Sequence, residues 1–394
     1  MKRRDTFRRV FTFSGAIVAY MIGSGFATGQ EILQFYTSFG VWRSIGAFAI
    51  SFVLFTWLGC SVMEDGRNLK LKRPSEIFKY YCGEKVGIFY ELFTTVFLYM
   101  IFVVMVSGAG AIMQEYYGIP RVAGCLFMAI VSLVTVLLGL KNIVNIIGNI
   151  GPVIIVAALS IGIANIIKNF DGLILAESIA PTLSMPKAAA NWLLSGVLYV
   201  TFCSIVMVPF LAGMGAETVS KKESFFSGGL GGLLFTLGAF AINLGMLASL
   251  REVHHLQAPA LAIGDILYPG LGIFYSVCIV LGIYTTAVPM LWIPCNNLAV
   301  EEKSKKFRYI AILGTGIACL GGQLPFSTLV NWIYPFSGYL GILLMICVLS
   351  KQIAKLFAER NVSDNRGGNF GYSGFLSNFA YASQFQGKKF SRKP

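Results

Sequence analysis

Ten stretches of this chain are apolar and long enough to cross about 30 Å of hydrocarbon as helices. They lie near residues 10–37, 44–63, 88–114, 122–139, 144–167, 192–214, 225–249, 271–298, 309–322 and 327–350. Only 12% of the 394 residues are charged, against about 25% in a soluble domain. The expected fold class is an all-α membrane protein of ten transmembrane helices, located in the cell membrane with the lipid bilayer as its first partner.

Basic residues give the orientation, because Lys and Arg are retained on the cytoplasmic side. With a cytoplasmic N-terminus, all but Arg43, Arg121, Lys168, Lys187 and Arg251 of the 31 Lys and Arg fall in cytoplasmic ends and loops. Both termini are therefore expected inside, and the net charge of +13 reflects topology and contact with anionic headgroups. It does not indicate nucleic-acid binding. "MKRRDTFRR" resembles the start of a signal peptide, but the apolar pattern resumes after Glu31 without a cleavage motif, so a retained first span is expected. The eight cysteines form no C-x-x-C pair and read as small buried residues, neither disulfides nor a metal site.

The expected domains are a cytoplasmic N-terminus at 1–9, a transporter domain at 10–350, and a largely disordered cytoplasmic tail at 351–394 rich in Gly, Ser and Asn. The spans form two sets of five, at about 10–167 and 192–350. Segment one is interrupted by "GSGFATG", and segment six carries "YVTFCSIVMVPFLAGMG". Segments five and ten hold "NIGP" and "NWIYP". Interruptions in matching halves predict an inverted 5+5 repeat with helices 1 and 6 broken.

As one helix, Val10 to Thr37 would run to about 42 Å at 1.5 Å per residue, longer than the hydrocarbon needs. Gly23 and Gly25 permit an unwound backbone, whose free polar groups must face protein or a wet cavity. The resumed half, near Ala27 to Gly29, would offer N–H donors to an anionic group. The end of the first half, near Ala19 to Ile22, would offer carbonyls to a small cation.

"MIGSGFATG" resembles the "IGSGIF"-type signature in the first helix of the amino acid, polyamine and organocation transporter superfamily, differing at Phe26 and Ala27. "GSGFATGQEILQF" is similar to the YkvI family of bacterial membrane proteins within it. The likeness covers about residues 8–350 and implies a LeuT-like 5+5 fold. It also implies that sodium, where it couples transport, sits between first-helix carbonyls and two hydroxyls of helix eight. In "LGIYTTAVP" those would be Thr285 and Thr286, with the carbonyls of Ala19, Ile22 and Gly282 completing an oxygen cage. The same threonines could instead bond their own helix. No other cofactor is expected.

An ionisable residue within a span is a functional hypothesis by default. Glu31 could carry a coupling proton, pair with a cationic solute or brace the half-helix. Gly23, Ser24, Gly25, Ala27 and Thr28 of segment one, with Tyr199, Thr201, Phe202 and Ser204 of segment six, are the expected solute contacts. Neither a nucleotide loop nor a catalytic cluster is present, so an enzyme is not expected. The function class is a secondary transporter of a small amino-acid-like solute, coupled to Na+ or H+, with a channel or membrane sensor as the alternative. The sequence leaves the oligomeric state open.

Overall fold

Glycine decides where the apolar stretches stay helical and where they stop. The computed structural model describes residues 3–138, 143–299 and 304–365, and all regular elements among them are helices. The chain divides into two compact units, Met1–Val348 and Leu349–Pro394. The first stretch becomes three helices: α1 (Arg3–Met21), α2 (Ser24–Thr28) and α3 (Gln30–Phe35). Gly23 is extended at the first interruption, and Gly29 takes the left-handed conformation at the second, with φ of 83°. Only glycine adopts that angle without strain.

The later stretches fall on α4 (Val41–Leu69), α5 (Ile77–Glu115), α6 (Arg121–Leu138) and α7 (Ile143–Lys168). After a short α8 (Phe170–Ile179) come α9 (Trp192–Ala216) and α10 (Lys221–Ala248). The small α11 (Leu250–Val253) and α12 (Pro259–Leu267) precede α13 (Pro269–Ala299), α14 (Lys305–Gly321) and α15 (Phe326–Asn365). Seven helices among the described residues are long and apolar enough to cross a membrane: α4, α5, α6, α9, α10, α13 and α15. An eighth is reached if α7 and α8, bent by 88° at their junction, count as one span. Of the other expected spans, the first is interrupted and α14 has 17 residues.

One expectation is corrected here. Helix α9 is continuous through Thr201–Ser204, so the second predicted break is absent. The reason lies in its polar side chains. Thr201 donates chiefly to Gly338 O across the helix contact and more weakly back to Leu198 O, and Ser204 donates to Thr201 O, so both hydroxyls are satisfied without unwinding. No glycine lies between Gly196 and Gly213, and Pro209 alone can kink a helix without opening it. The first part of the expected tail at 351–394 is helical. Lys351 to Asn361 is rich in strong helix formers, and α15 continues to Asn365. The rest of that tail, and the side chains of "NIGP", lie outside the described residues.

The helices pack through glycine. A Cβ on Gly59 of α4 would stand 2.3 Å from Gly228 O of α10, and one on Gly341 of α15 would stand 2.0 Å from Thr201 O of α9. Small residues allow this backbone approach where lipid offers no hydrophobic drive between helices. Large apolar side chains face outward along α6 (Phe127, Ile130, Val134, Leu138) and α14 (Ile312, Leu313, Ile317, Leu320). Such continuous exposed apolar faces belong in lipid.

Candidate functional site

The first interruption leaves backbone oxygens beside α13. Thr286 donates from Oγ1 toward Ile22 O at 3.2 Å and toward Gly282 O at 3.0 Å, and Thr285 donates to Gly282 O at 2.9 Å. Four of the five expected cage residues, Ile22, Gly282, Thr285 and Thr286, thus meet, and Ala19 lies one turn earlier on α1. Two carbonyls compete for the single Thr286 proton, so the cluster has more acceptors than donors. That donor set suits a hard cation. A further oxygen was overlooked in the sequence: Pro289 has no N–H, so Thr285 O lacks its usual helical partner. The signal was the proline closing "TTAVP".

Glu31 lies in the first turn of α3 and folds back across the break. A Cβ on Gly25 would stand 2.1 Å from Glu31 Oε1, so the carboxylate occupies the space this glycine leaves. Tyr199 of α9 donates to Glu31 Oε2 at 3.4 Å, and the Tyr334 hydroxyl of α15 lies near the same carboxylate. Glu31 is 5% exposed and makes no ion pair among the described residues. Aromatic rings close around it. Phe202 stacks on Tyr334 at 4.7 Å and meets Tyr199 edge-on at 5.3 Å, while Phe35 and Tyr36 meet Tyr199 at 5.2 and 5.0 Å.

The expected solute residues therefore separate. Gly25, Tyr199 and Phe202 gather at Glu31. Ser24 is buried beside the break with no partner for its hydroxyl, and a Cβ on Gly23 would meet Met105 Cε at 3.1 Å. Thr28 is turned back onto Ser24 O. Thr201 donates to Gly338 O at 2.8 Å and serves the contact with α15, and Ser204 bonds its own helix. The donors expected near Ala27 to Gly29 are already used, because Ala27 N bonds Gly23 O and Gly29 N bonds Phe26 O. The helix resumes at Ser24, earlier than expected, which draws those groups inside it. Tyr334 was missed, although it lies in "NWIYP", where attention fell on Asn and Pro.

Polar contacts close both ends of this region. At one end Gln34 donates to Ser327 O and accepts from Asn331. There Gln257 exchanges hydrogen bonds with Ser327, and Glu115 accepts from the backbone N–H of Gln257 and Ala258. At the other, Arg9 pairs with the fully buried Glu223 at 2.6 Å and donates to Glu217 O, tying α1 to α10.

No protein-family profile matches the chain. It is 26% identical over 344 residues to the uncharacterized membrane protein YkvI of Bacillus subtilis strain 168, covering 85% of this chain and 94% of that protein. It is 23% identical to the uncharacterized protein YyaD of the same organism, covering 84% and 94%. In fold it is similar to MhsT in complex with L-phenylalanine, with a TM-score of 0.59 at 14% identity over 86% of this chain and 87% of that one. It is similar to Mhp1, a nucleobase-cation-symport-1 family transporter, with a TM-score of 0.55 at 16% identity over 82% and 74%. A Na+-coupled sialic acid symporter matches with a TM-score of 0.54 at 13% identity over 85% and 76%.

Proposed function

From a chain whose homologues are YkvI-type membrane proteins and whose fold neighbours are LeuT-fold transporters, we propose a secondary active transporter for a small amino-acid-like solute. It is driven by Na+ or H+ and works by alternating access around the interrupted first segment. In this reading the chain crosses the membrane ten times in two inverted sets of five, with both termini in the cytoplasm. The solute lies against Gly23, Ser24 and Gly25, with Tyr199 and Phe202 lining its pocket. Sodium, where it is the coupling ion, lies among the oxygens of Ala19, Ile22, Gly282, Thr285 and Thr286. Where H+ couples, Glu31 carries it.

The observation that carries this reading is the interruption after Met21, where the freed Ile22 carbonyl meets Thr286 of α13. Irregular backbone at membrane depth is tolerated only against protein or a wet cavity, and interrupted helices form solute and ion sites in transporters. Closure at both ends supports it further, since alternating access requires two barriers that open in turn.

The test is thermal unfolding of the purified protein in matched NaCl, KCl and choline chloride, with a panel of amino acids and amines and with Thr286→Ala alongside. A ligand that binds only the folded state adds about 2.7 kcal/mol at about 100 times its Kd. Sodium coupling predicts a rise in midpoint in NaCl alone, lost in Thr286→Ala. Three indistinguishable salts would transfer the coupling role to Glu31. If neither ions nor any solute of the panel moved the midpoint, the transporter reading would fall.

A further inference from the structure

The interrupted segment has a surplus of hydrogen-bond acceptors. Glu31 brings a carboxylate whose only side-chain donor among the described residues is the Tyr199 hydroxyl, at 3.4 Å. Next to it in sequence, the carbonyl oxygen Gln30 Oε1 is buried without a partner. Buried acceptors without donors are costly and call for a ligand or ion that donates. A carboxylate buried without a cation is costlier still. The rings of Tyr199, Phe202 and Tyr334 around it present negative π-faces, which attract cations.

We infer that the group this site recognises is a protonated amine, so that the solute is an organic cation with Glu31 as its counter-ion and needs no carboxylate of its own. The inference rests on the transporter reading and narrows its solute class. An ammonium is a donor-only group and supplies what the acceptors lack. A solute carboxylate placed over Gly25 would instead meet the Glu31 carboxylate, which fills that space. Like charges held close in a low-dielectric interior repel strongly.

Three probes of similar shape separate the possibilities: phenethylamine, L-phenylalanine and 3-phenylpropionate, with putrescine as an aliphatic amine. Each is titrated against the full-length protein in detergent, by thermal unfolding and by calorimetry, using wild type, Glu31→Gln and Tyr334→Phe. The expected result is binding of at least one carboxylate-free amine and none of 3-phenylpropionate. Glu31→Gln should weaken the amine on the order of tenfold or more, and Tyr334→Phe should weaken it less. The unliganded variants should still unfold in one sharp transition. Binding of 3-phenylpropionate, or silence of both amines while sodium still stabilises through Thr286, would overturn the inference and leave the transporter reading standing. So would undiminished amine binding by Glu31→Gln, which has the shape of the protonated acid, because Glu31 would then be a proton carrier only. Tyr334→Phe keeps the carboxylate, so loss of amine binding there too, in a protein that still binds sodium, would point to the site and not to misfolding.

Discussion

Gly25 and Glu31 share one volume: the carboxylate lies where any side chain at position 25 would begin. The group in the way is the end of a flexible side chain, so a methyl there displaces Glu31 before it disturbs backbone. Gly25→Ala should therefore cost about 1–3 kcal/mol of stability, in the range of overpacking, while abolishing ligand-dependent stabilisation. Comparing unliganded and liganded midpoints in the variant checks both halves of that expectation. Thr286 invites a similar contrast. Thr286→Ser keeps the hydroxyl and should retain most of a sodium response, whereas Thr286→Val keeps the shape and should lose it. Glu31 was legible in the sequence because a carboxylate inside an apolar run is anomalous on its own. Tyr334 was not, because one tyrosine among 17 in a chain with 32 phenylalanines carries no such signal until the fold brings it to Glu31.

Among the helices, α1 to α3 and α9 carry comparable polar interruptions yet behave differently. Three glycines within seven residues open the first segment, and hydroxyls that bond inward keep α9 closed. Apolar length located the seven helices that are long and apolar enough to cross a membrane, since that property is written in consecutive residues. Whether a polar side chain opens its helix or folds back onto it depends on what neighbouring helices offer, and that is not written there. The short α8 and α12 escaped for a related reason: they are too short for length to reveal them. Packing gives a prediction at this scale. Gly228→Val would drive a side chain into the Gly59 carbonyl, which is backbone and cannot yield, so folded protein should be largely lost on size-exclusion chromatography. Gly316→Ala meets nothing within 4 Å and should be neutral or stabilising by about 0.4–1 kcal/mol.

For the molecule as a whole, the two closures set the state that is seen. Arg9 holds a carboxylate, Glu223, that is fully buried, and its loss would leave that charge without its cation. Arg9→Ala should weaken the α1 closure by on the order of 2 kcal/mol, read as faster hydrogen exchange along the first turns of α1 with α4 unchanged. The charge asymmetry of the loops, the basis for orientation, has its own check: a single cysteine at the exposed Glu252 should label from outside the cell and one at Ser304 should not. The reverse pattern would refute the ten-span, N-inside arrangement. The interruption itself is less loose than its glycines suggest. Its start is fastened to α13 by Thr286 on Ile22 O and its end by Tyr275 donating to Ala27 O at 2.8 Å. Those two anchors are eleven residues apart, about 16 Å along an unbroken helix. Helix α13 thus acts as a splint. The short middle piece α2 is thus held on α13 at both of its ends, whereas α1 is fastened elsewhere, to α10 by Arg9 on Glu223 and Ser14 on Ser227 O and to α9 by Tyr20 on Val206 O, so the two sides of the interruption are tied to different helices.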